Sequence, residues 1–173
     1  IADVCYKGVG AALFMALFRS LIRIFSGQIS LEEGARLTQT PSDIPECSLE
    51  ARKESNSLYI DPLKAVALTN NYIAHTHSQM SMFATMFFGV LDPETGWLSY
   101  VNGGHEPPII ISSSGVKGRL KPTGPAVGMM PDMKFKVQQI QLEPGDILMA
   151  YTDGVPEAHS PEGKFFSEQQ LLS

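Results

Sequence analysis

The second half of the chain, from residue 83 onward, is a series of short apolar segments separated by turn residues. Residues 83–91 are rich in aromatic, β-branched and Met side chains, the turn sequence DPETG follows, and residues 97–101 resemble a strand again. This pattern predicts an antiparallel hairpin. Later segments share the pattern and are predicted to be strands, at residues 108–112, 135–142 and 146–151.

A long apolar helix is predicted ahead of these strands. Residues 1–4 resemble the end of a strand, and the helix follows at residues 9–25, where Ser26 and Gly27 are expected to stop it. The helix is apolar on nearly every face, so we expect it to be covered on both sides. Its longest apolar run, residues 9–18, is about half the length that a membrane span needs, which favours a core helix.

A second helix is predicted to begin at Asp61 and Pro62, because Asp can cap a helix and Pro suits the first helical position. It extends to about His75. Residues 28–59, between the two helices, are polar and irregular and predict a mobile excursion. With a short helix at 167–172, the element order predicts an α+β fold in a single domain over residues 1–173.

Composition excludes several classes of protein. The net charge is −5 and no Lys/Arg cluster occurs, which argues against a nucleic-acid partner, since phosphate neutralisation dominates that binding. The two cysteines are too few for a disulfide framework and lack the paired spacing of a structural zinc site. We therefore expect a reducing, cytoplasmic compartment and no contact of this domain with a membrane.

Two of the seven aspartates stand out as candidate metal ligands. Asp3 and Asp153 each follow an apolar strand where the chain turns through small residues, and Mg²⁺ or Mn²⁺ prefers such oxygen ligands. From spacing alone, two further turn aspartates are an equally good interpretation. The other five occupy ordinary capping or turn positions, at Asp43, Asp61, Asp92, Asp132 and Asp146.

Four segments in the right order resemble the protein phosphatase 2C superfamily, specifically its bacterial branch of sporulation phosphatases and sigma-factor regulators. DVCYKGVGAAL at residues 3–13 is similar to the branch's Asp-Val-Ser-Gly-Lys/His-Gly-x-x-Ala-Ala motif, and MFATMF at residues 82–87 is similar to its central strand. VNGGHEPP at residues 101–108 and YTDGV at residues 151–155 resemble its Asn-Ala-Gly-His-Asn-Pro-Pro and Tyr-Thr-Asp-Gly motifs. Each motif alone is weak, but the four together favour the family.

The resemblance implies an αββα layered sandwich of two mainly antiparallel sheets flanked by helices. It also implies a serine/threonine protein phosphatase that uses two Mn²⁺ or Mg²⁺ ions to generate an attacking hydroxide, without a phosphoenzyme. By motif position, the metal ligands are Asp3, the Val4 carbonyl and Asp153. The implied substrate is a phosphorylated protein, an anti-anti-sigma factor, and a sensor or receiver domain is expected to precede the domain.

Further residues are candidates for the phosphate or substrate side of the site. Lys7 and Gly8 precede the buried helix, whose free amides attract anions, although a solvated lysine beside a structural glycine explains them equally well. Asn102 and His105 lie in the third motif, where His105 either donates a proton to the leaving group or shapes the turn. Cys5 is interpreted as a packing residue.

The chain also departs from the family pattern. The family's Gly-Gly-Asp-x-x-Asp segment would precede residue 1 and its Asp-Asp-x-Thr motif would follow residue 173, so the domain is expected to lack its first strands and last segment. Tyr6 and Gly10 stand where the family commonly has Gly and Pro. These departures keep open an alternative, a catalytically silent module that keeps the fold and binds the same partner.

Overall fold

A computed structural model describes residues 1–37, 51–77 and 81–172. In chain order the elements are β1 (Ala2–Val4), α1 (Val9–Leu37), α2 (Ala51–Thr76), β2 (Ala84–Leu91), β3 (Trp97–Gly103), β4 (Ile109–Ser112), β5 (Gly115–Arg119), β6 (Gln138–Gln141), β7 (Ile147–Met149) and α3 (Ser167–Leu171).

The strands form two antiparallel sheets. The first, which we call sheet A, has the order β1-β2-β3-β6, and the second, sheet B, has the order β5-β4-β7. The predicted hairpin is confirmed as β2 and β3, and Asp92 closes its turn by accepting hydrogen bonds from the Glu94 amide at 3.0 Å and the Thr95 hydroxyl at 2.7 Å. The prediction of an α+β fold with two antiparallel sheets and helices is therefore confirmed.

One face of sheet A packs against α1 and α2. Phe14 and Phe18 of α1 and Val66 of α2 are buried against Met86 and Val101 of the sheet. Burying a side chain of this size contributes roughly 1.5–3 kcal/mol. This cluster therefore holds the helices on the sheet.

The opposite face of sheet A packs against sheet B. Phe87 and Tyr100, whose ring centroids are 5.4 Å apart, form the centre of this second cluster with Leu98 and, from sheet B, Ile110 and Leu148. Because side chains alternate along a strand, Met86 faces the helices while Phe87 faces the other sheet. The helices, sheet A and sheet B thus form three successive layers.

The helix boundaries differ from the prediction. Helix α1 continues to Leu37, so the predicted stop at Ser26 and Gly27 is wrong, since one Gly costs a helix only about 1 kcal/mol. Helix α2 begins at Ala51, in a run of good helix formers, and not at Asp61. The centre of the predicted excursion, residues 38–50, lies outside the described residues, and its mobility stays a prediction.

Helix α1 is covered on one side only within the described part of the chain. Phe14, Phe18 and Leu21 are buried, whereas Val9 and Leu13 are 78% and 68% exposed. The expectation that both sides are covered is therefore wrong for the residues described. By length and composition alone Val9–Ser26 is long and apolar enough to cross a membrane, a test that core helices of globular domains also pass.

Candidate active site

A cavity of about 490 Å³ collects residues that are far apart in the sequence. Its walls come from β1, the start of β2, the loop between β3 and β4, and the segment after β7. Five of the predicted site residues line it, namely Asp3, Val4, Lys7, His105 and Asp153.

Asp3 is held in the middle of β1, on the sheet-A side of the cavity. Its neighbours Ala2 and Val4 pack against the helix-facing core, so strand alternation turns the Asp3 side chain toward the opposite face. Its partner in the ladder is Thr85 of β2, whose hydroxyl lies 3.4 Å from the Asp3 carbonyl oxygen.

Asp153 reaches the same cavity from the sheet-B side. It follows the buried Tyr151, just beyond β7, in a turn where the Val155 amide donates to the Thr152 carbonyl at 3.1 Å and the Glu157 amide donates to the Asp153 carbonyl at 2.9 Å. The turn leaves Asp153 exposed. Two carboxylates that are 150 positions apart in the chain are therefore brought to one cavity by opposite sheets.

His105 lines the same cavity and is buried, with 2% of its surface exposed. Its Nδ1 lies 2.9 Å from the Thr85 hydroxyl, and its backbone amide donates to the Asn102 side-chain oxygen at 2.8 Å. Burial lowers the pKa of His105, while the charges of Asp3 and Asp153 act in the opposite direction. The buried ring therefore favours its uncharged form.

Lys7 and Gly8 are adjacent in the sequence but have different surroundings in the structure. Lys7 is exposed and lines the cavity directly before α1 begins. Gly8 does not line it; it adopts a φ of +93°, and its carbonyl accepts a hydrogen bond from the Ala12 amide at 3.1 Å. Gly8 therefore starts the helix, and Lys7 alone faces the cavity.

Asn102 is also absent from the cavity wall. Its side chain is completely buried, with Nδ2 donating to the Leu120 carbonyl at 3.0 Å and Oδ1 accepting from the His105 amide. Both polar atoms are thus used inside the protein. The substrate-side role of Asn102 stays a prediction, while its hydrogen bond to the His105 amide gives it a structural role in the loop that presents His105.

Comparison with known proteins identifies the family of the chain. The profile of the family described as Stage II sporulation protein E (SpoIIE) matches residues 1–173, the whole chain. The chain belongs to the SpoIIE family.

Several relatives are longer than this chain. Protein IcfG of Synechocystis sp. is 49% identical over 172 residues, which are 99% of this chain and 26% of that protein. Phosphoserine phosphatase RsbU of Bacillus subtilis is 24% identical over 94% of this chain and 40% of its own length. The chain therefore spans between about a quarter and two fifths of these relatives.

Solved structures support the fold. A crystal structure of the RsbU and RsbW domains of a Mycobacterium tuberculosis protein is 27% identical, with a TM-score of 0.57, and covers 92% of this chain and 36% of that one. The SiaA-PP2C domain of Pseudomonas aeruginosa has a TM-score of 0.64 at 17% identity, covering 99% of this chain and 56% of that one. The phosphatase 2C fold predicted from the four motifs is confirmed.

The cavity suits a divalent cation of the kind that this phosphatase fold implies. Asp3, Glu106, Asp153 and Glu157 line it with a single lysine, so its potential favours cations. Among the described residues no three His, Cys, Asp or Glu side chains lie close enough together to hold an ion unaided. Mg²⁺ commonly keeps several waters and binds through one or two carboxylates, so Asp3 and Asp153 fit that pattern.

Tyr6 lies at the mouth of this cavity in a backbone conformation that favours glycine. Its φ is +72° and its side chain is 70% exposed, so packing does not explain the residue. The bulky ring lines the entrance where the family commonly has no side chain.

Thr85 is the residue that sequence reasoning missed. It was recognised only as part of a strand motif, yet it lines the cavity and contacts both Asp3 and His105. Its role depends on the register of β1 against β2, which no local pattern reveals. A polar residue at an inward position of a central strand is the one signal that could have indicated it.

Cys5 and the two histidines around the end of α2 have structural surroundings. Cys5 lines the cavity, but its sulfur accepts a hydrogen bond from the Phe83 amide at 3.1 Å, in agreement with a packing role. His77 packs beside Tyr72 with ring centroids 5.8 Å apart, and His75 is exposed. Neither histidine lines the cavity.

Proposed function

We propose that the chain forms part of a metal-dependent phosphatase domain that hydrolyses phosphoserine or phosphothreonine on a partner protein. The observation that supports this most directly is the meeting of Asp3 and Asp153, from opposite sheets, beside Lys7 in one cavity. Membership of the SpoIIE family supports the same reaction class.

Asp3, the Val4 carbonyl and Asp153 would hold Mn²⁺ or Mg²⁺, with water completing the coordination shell. When bound, such ions supply Lewis-acid polarisation of the phosphoryl group and an acidified water. The protein's own residues bind and orient the substrate. Lys7 attracts the phosphate dianion to a cavity whose carboxylates would otherwise repel it.

The partner that we propose is an anti-anti-sigma factor carrying a phosphorylated Ser or Thr, and the compartment is the cytoplasm. Two relatives from Bacillus subtilis are named phosphoserine phosphatases, RsbU and RsbP, and this supports the phosphoserine specificity. The much greater length of the relatives is compatible with an additional sensor or receiver domain.

A second candidate function is a silent module that binds the phosphoprotein without hydrolysing it. It is favoured by the small number of metal-ligating side chains that the described residues bring together. Phosphate release separates the two functions, because both predict binding and only the enzyme predicts product.

The test is Mn²⁺-dependent phosphate release from a phosphorylated anti-anti-sigma factor by the full-length protein. Asp153→Asn should reduce release by at least about 100-fold, because groups that merely support a metal ligand already cost 10–100-fold. Asp132→Asn is the matched control, since Asp132 is exposed outside the cavity and its φ of +57° suits Asn. Release that is absent with every divalent ion, or equal in wild type and Asp153→Asn, would exclude the enzyme.

A further inference from the structure

The segment that follows Tyr151 carries two of the carboxylates that line the cavity, Asp153 and Glu157. We call residues 152–167 the Asp153 segment. None of its residues is buried, and the described residues of both core clusters lie elsewhere in the chain. Because burial of apolar side chains contributes little here, polar contacts are expected to fix the position of the segment.

Backbone hydrogen bonds make the Asp153 segment a single folded unit. The Glu157 amide donates to the Asp153 carbonyl at 2.9 Å, and the Ser167 amide donates to the Pro156 carbonyl at 2.9 Å. The second bond brings the far end of the segment, where α3 begins, back to its near end. A contact that holds α3 in place therefore also holds the turn that presents both carboxylates.

The Arg119 side chain of β5 reaches both ends of the Asp153 segment. One of its terminal nitrogens, Nη2, lies 3.4 Å from the hydroxyl of Tyr151, the residue directly before the segment. The same nitrogen forms an ion pair with the carboxylate of Glu168, the residue directly after it. Tyr151 is buried and therefore belongs to the fixed part of the fold. A single guanidinium thus links the fixed start of the segment to its far end.

Arg119 is itself anchored in sheet B. It pairs with Ile109 of β4, and Ile109 pairs on its other side with Met149 of β7, so the three residues form one row across the sheet. Ile109 is almost completely buried, and the Nε atom of Arg119 is buried as well. The Glu168 side chain is 47% exposed. The sheet therefore holds one partner of the ion pair, and the exposed partner is the one that can move.

We propose that the ion pair between Arg119 and Glu168 is a clamp that holds the Asp153 segment, and with it two carboxylates, at the cavity. Arg119 does not line the cavity, so it is a positioning residue that acts through these carboxylates. The inference rests on the proposed phosphatase function, in which Asp153 helps to hold Mn²⁺ or Mg²⁺. When the clamp is broken, the segment leaves the cavity more often and the cation binds less tightly.

Calorimetric titration of the full-length protein with Mn²⁺ measures the clamp through its effect on affinity. Glu168→Gln and Arg119→Gln should each raise the Kd for Mn²⁺ by about 3- to 5-fold, the upper range for an ion pair between partly exposed side chains. The double variant should show the same loss as either single variant, because both substitutions remove one interaction. An unchanged Kd in Glu168→Gln, or losses that multiply in the double variant, would overturn the proposal.

Lys117→Gln is the matched control. Lys117 lies on the same strand as Arg119 and forms ion pairs with two carboxylates outside the cavity, Glu143 and Asp146. The substitution should lower the free energy of unfolding in urea at least as much as Glu168→Gln does, and should leave the Kd for Mn²⁺ unchanged. A loss of Mn²⁺ affinity in Lys117→Gln would mean that any weakening of the fold releases the cation, and would refute a specific clamp.

Hydrogen exchange tests the clamp without a metal. In the metal-free full-length protein, Glu168→Gln should accelerate exchange of the Glu157 and Ser167 amides, whose hydrogen bonds fold the Asp153 segment, by about 3- to 5-fold. Exchange in the hairpin of β2 and β3 should stay unchanged. Wild-type exchange of both amides in the variant would exclude the clamp. If the wild type binds no Mn²⁺, the proposed function fails, and hydrogen exchange still judges the clamp.

Discussion

Replacing Asn102 by alanine tests whether this residue acts through the fold or through the substrate. The side chain is completely buried and makes two hydrogen bonds, from Nδ2 to the Leu120 carbonyl at 3.0 Å and from the His105 amide to Oδ1 at 2.8 Å. Asn102→Ala removes both hydrogen bonds at once. It leaves a carbonyl and an amide without a hydrogen bond in the protein interior.

The expected loss of stability is large for a single substitution. Each buried polar group left unpaired costs about 1–3 kcal/mol, so the two together cost about 2–6 kcal/mol. Whole domains are stable by only about 5–15 kcal/mol. For a chain of this size the loss corresponds to a fall in Tm on the order of 10 °C.

Equilibrium urea unfolding measures this loss, with the fluorescence of Trp97, the single tryptophan of the chain, as the probe. Lys121→Ala is the control, because Lys121 is exposed near the same loop, and it should change the free energy of unfolding by less than about 0.5 kcal/mol. Asn102→Ala with near wild-type stability and strongly reduced phosphate release would refute the reasoning. That result would mean that Asn102 contacts the substrate.

Two further predictions concern stability away from the cavity. Gly128→Ala should lower the free energy of unfolding by about 2 kcal/mol or more, because the φ of Gly128 is +94° and the new Cβ would lie 2.7 Å from Ile73 Cγ2. Gly118→Ala is the control in the same urea experiment. Its new Cβ would meet no atom within 4 Å, so the free energy of unfolding should hardly change. The hydrogen bond from Lys117 lowers the pKa of Asp146, so this contribution to stability is present above the ordinary aspartate pKa and is lost as pH falls through the lowered value. The difference in free energy of unfolding between wild type and Asp146→Asn should therefore vanish in acid. A difference that is constant with pH would contradict this role of the Lys117–Asp146 hydrogen bond.

The elements that could be predicted from sequence are those with a strong local pattern. The hairpin of β2 and β3 was predictable because its strands are apolar and its DPETG turn is typical of a tight connection. Strand β5, Gly115–Arg119, was not predicted, because its sequence GVKGR has two glycines and no clear alternation. Its pairing with β4, a tertiary interaction, forms the strand.

The candidate site shows the same division between local and long-range information. Asp3 and Asp153 were identifiable because each stands near the end of a recognisable strand, and a chain-order motif accompanies each of them. The contact of Thr85 with His105 depends instead on a loop folding back over a neighbouring strand. Asn102 was assigned to the substrate side because its motif lies beside the site, while its burial is a property of the packed sheets.

The origin of the two aspartates in different sheets links the candidate metal site to core packing. Asp3 is anchored in sheet A and Asp153 follows the last strand of sheet B, so the separation of their carboxylates is set by the layer between the sheets. That layer is centred on Phe87 and Tyr100. Protein interiors are close-packed, so a change of even one methylene group disturbs the packing of the neighbouring side chains. A divalent ion shared by both carboxylates would therefore stabilise the packing of one sheet on the other, and loss of that packing would separate the ligands.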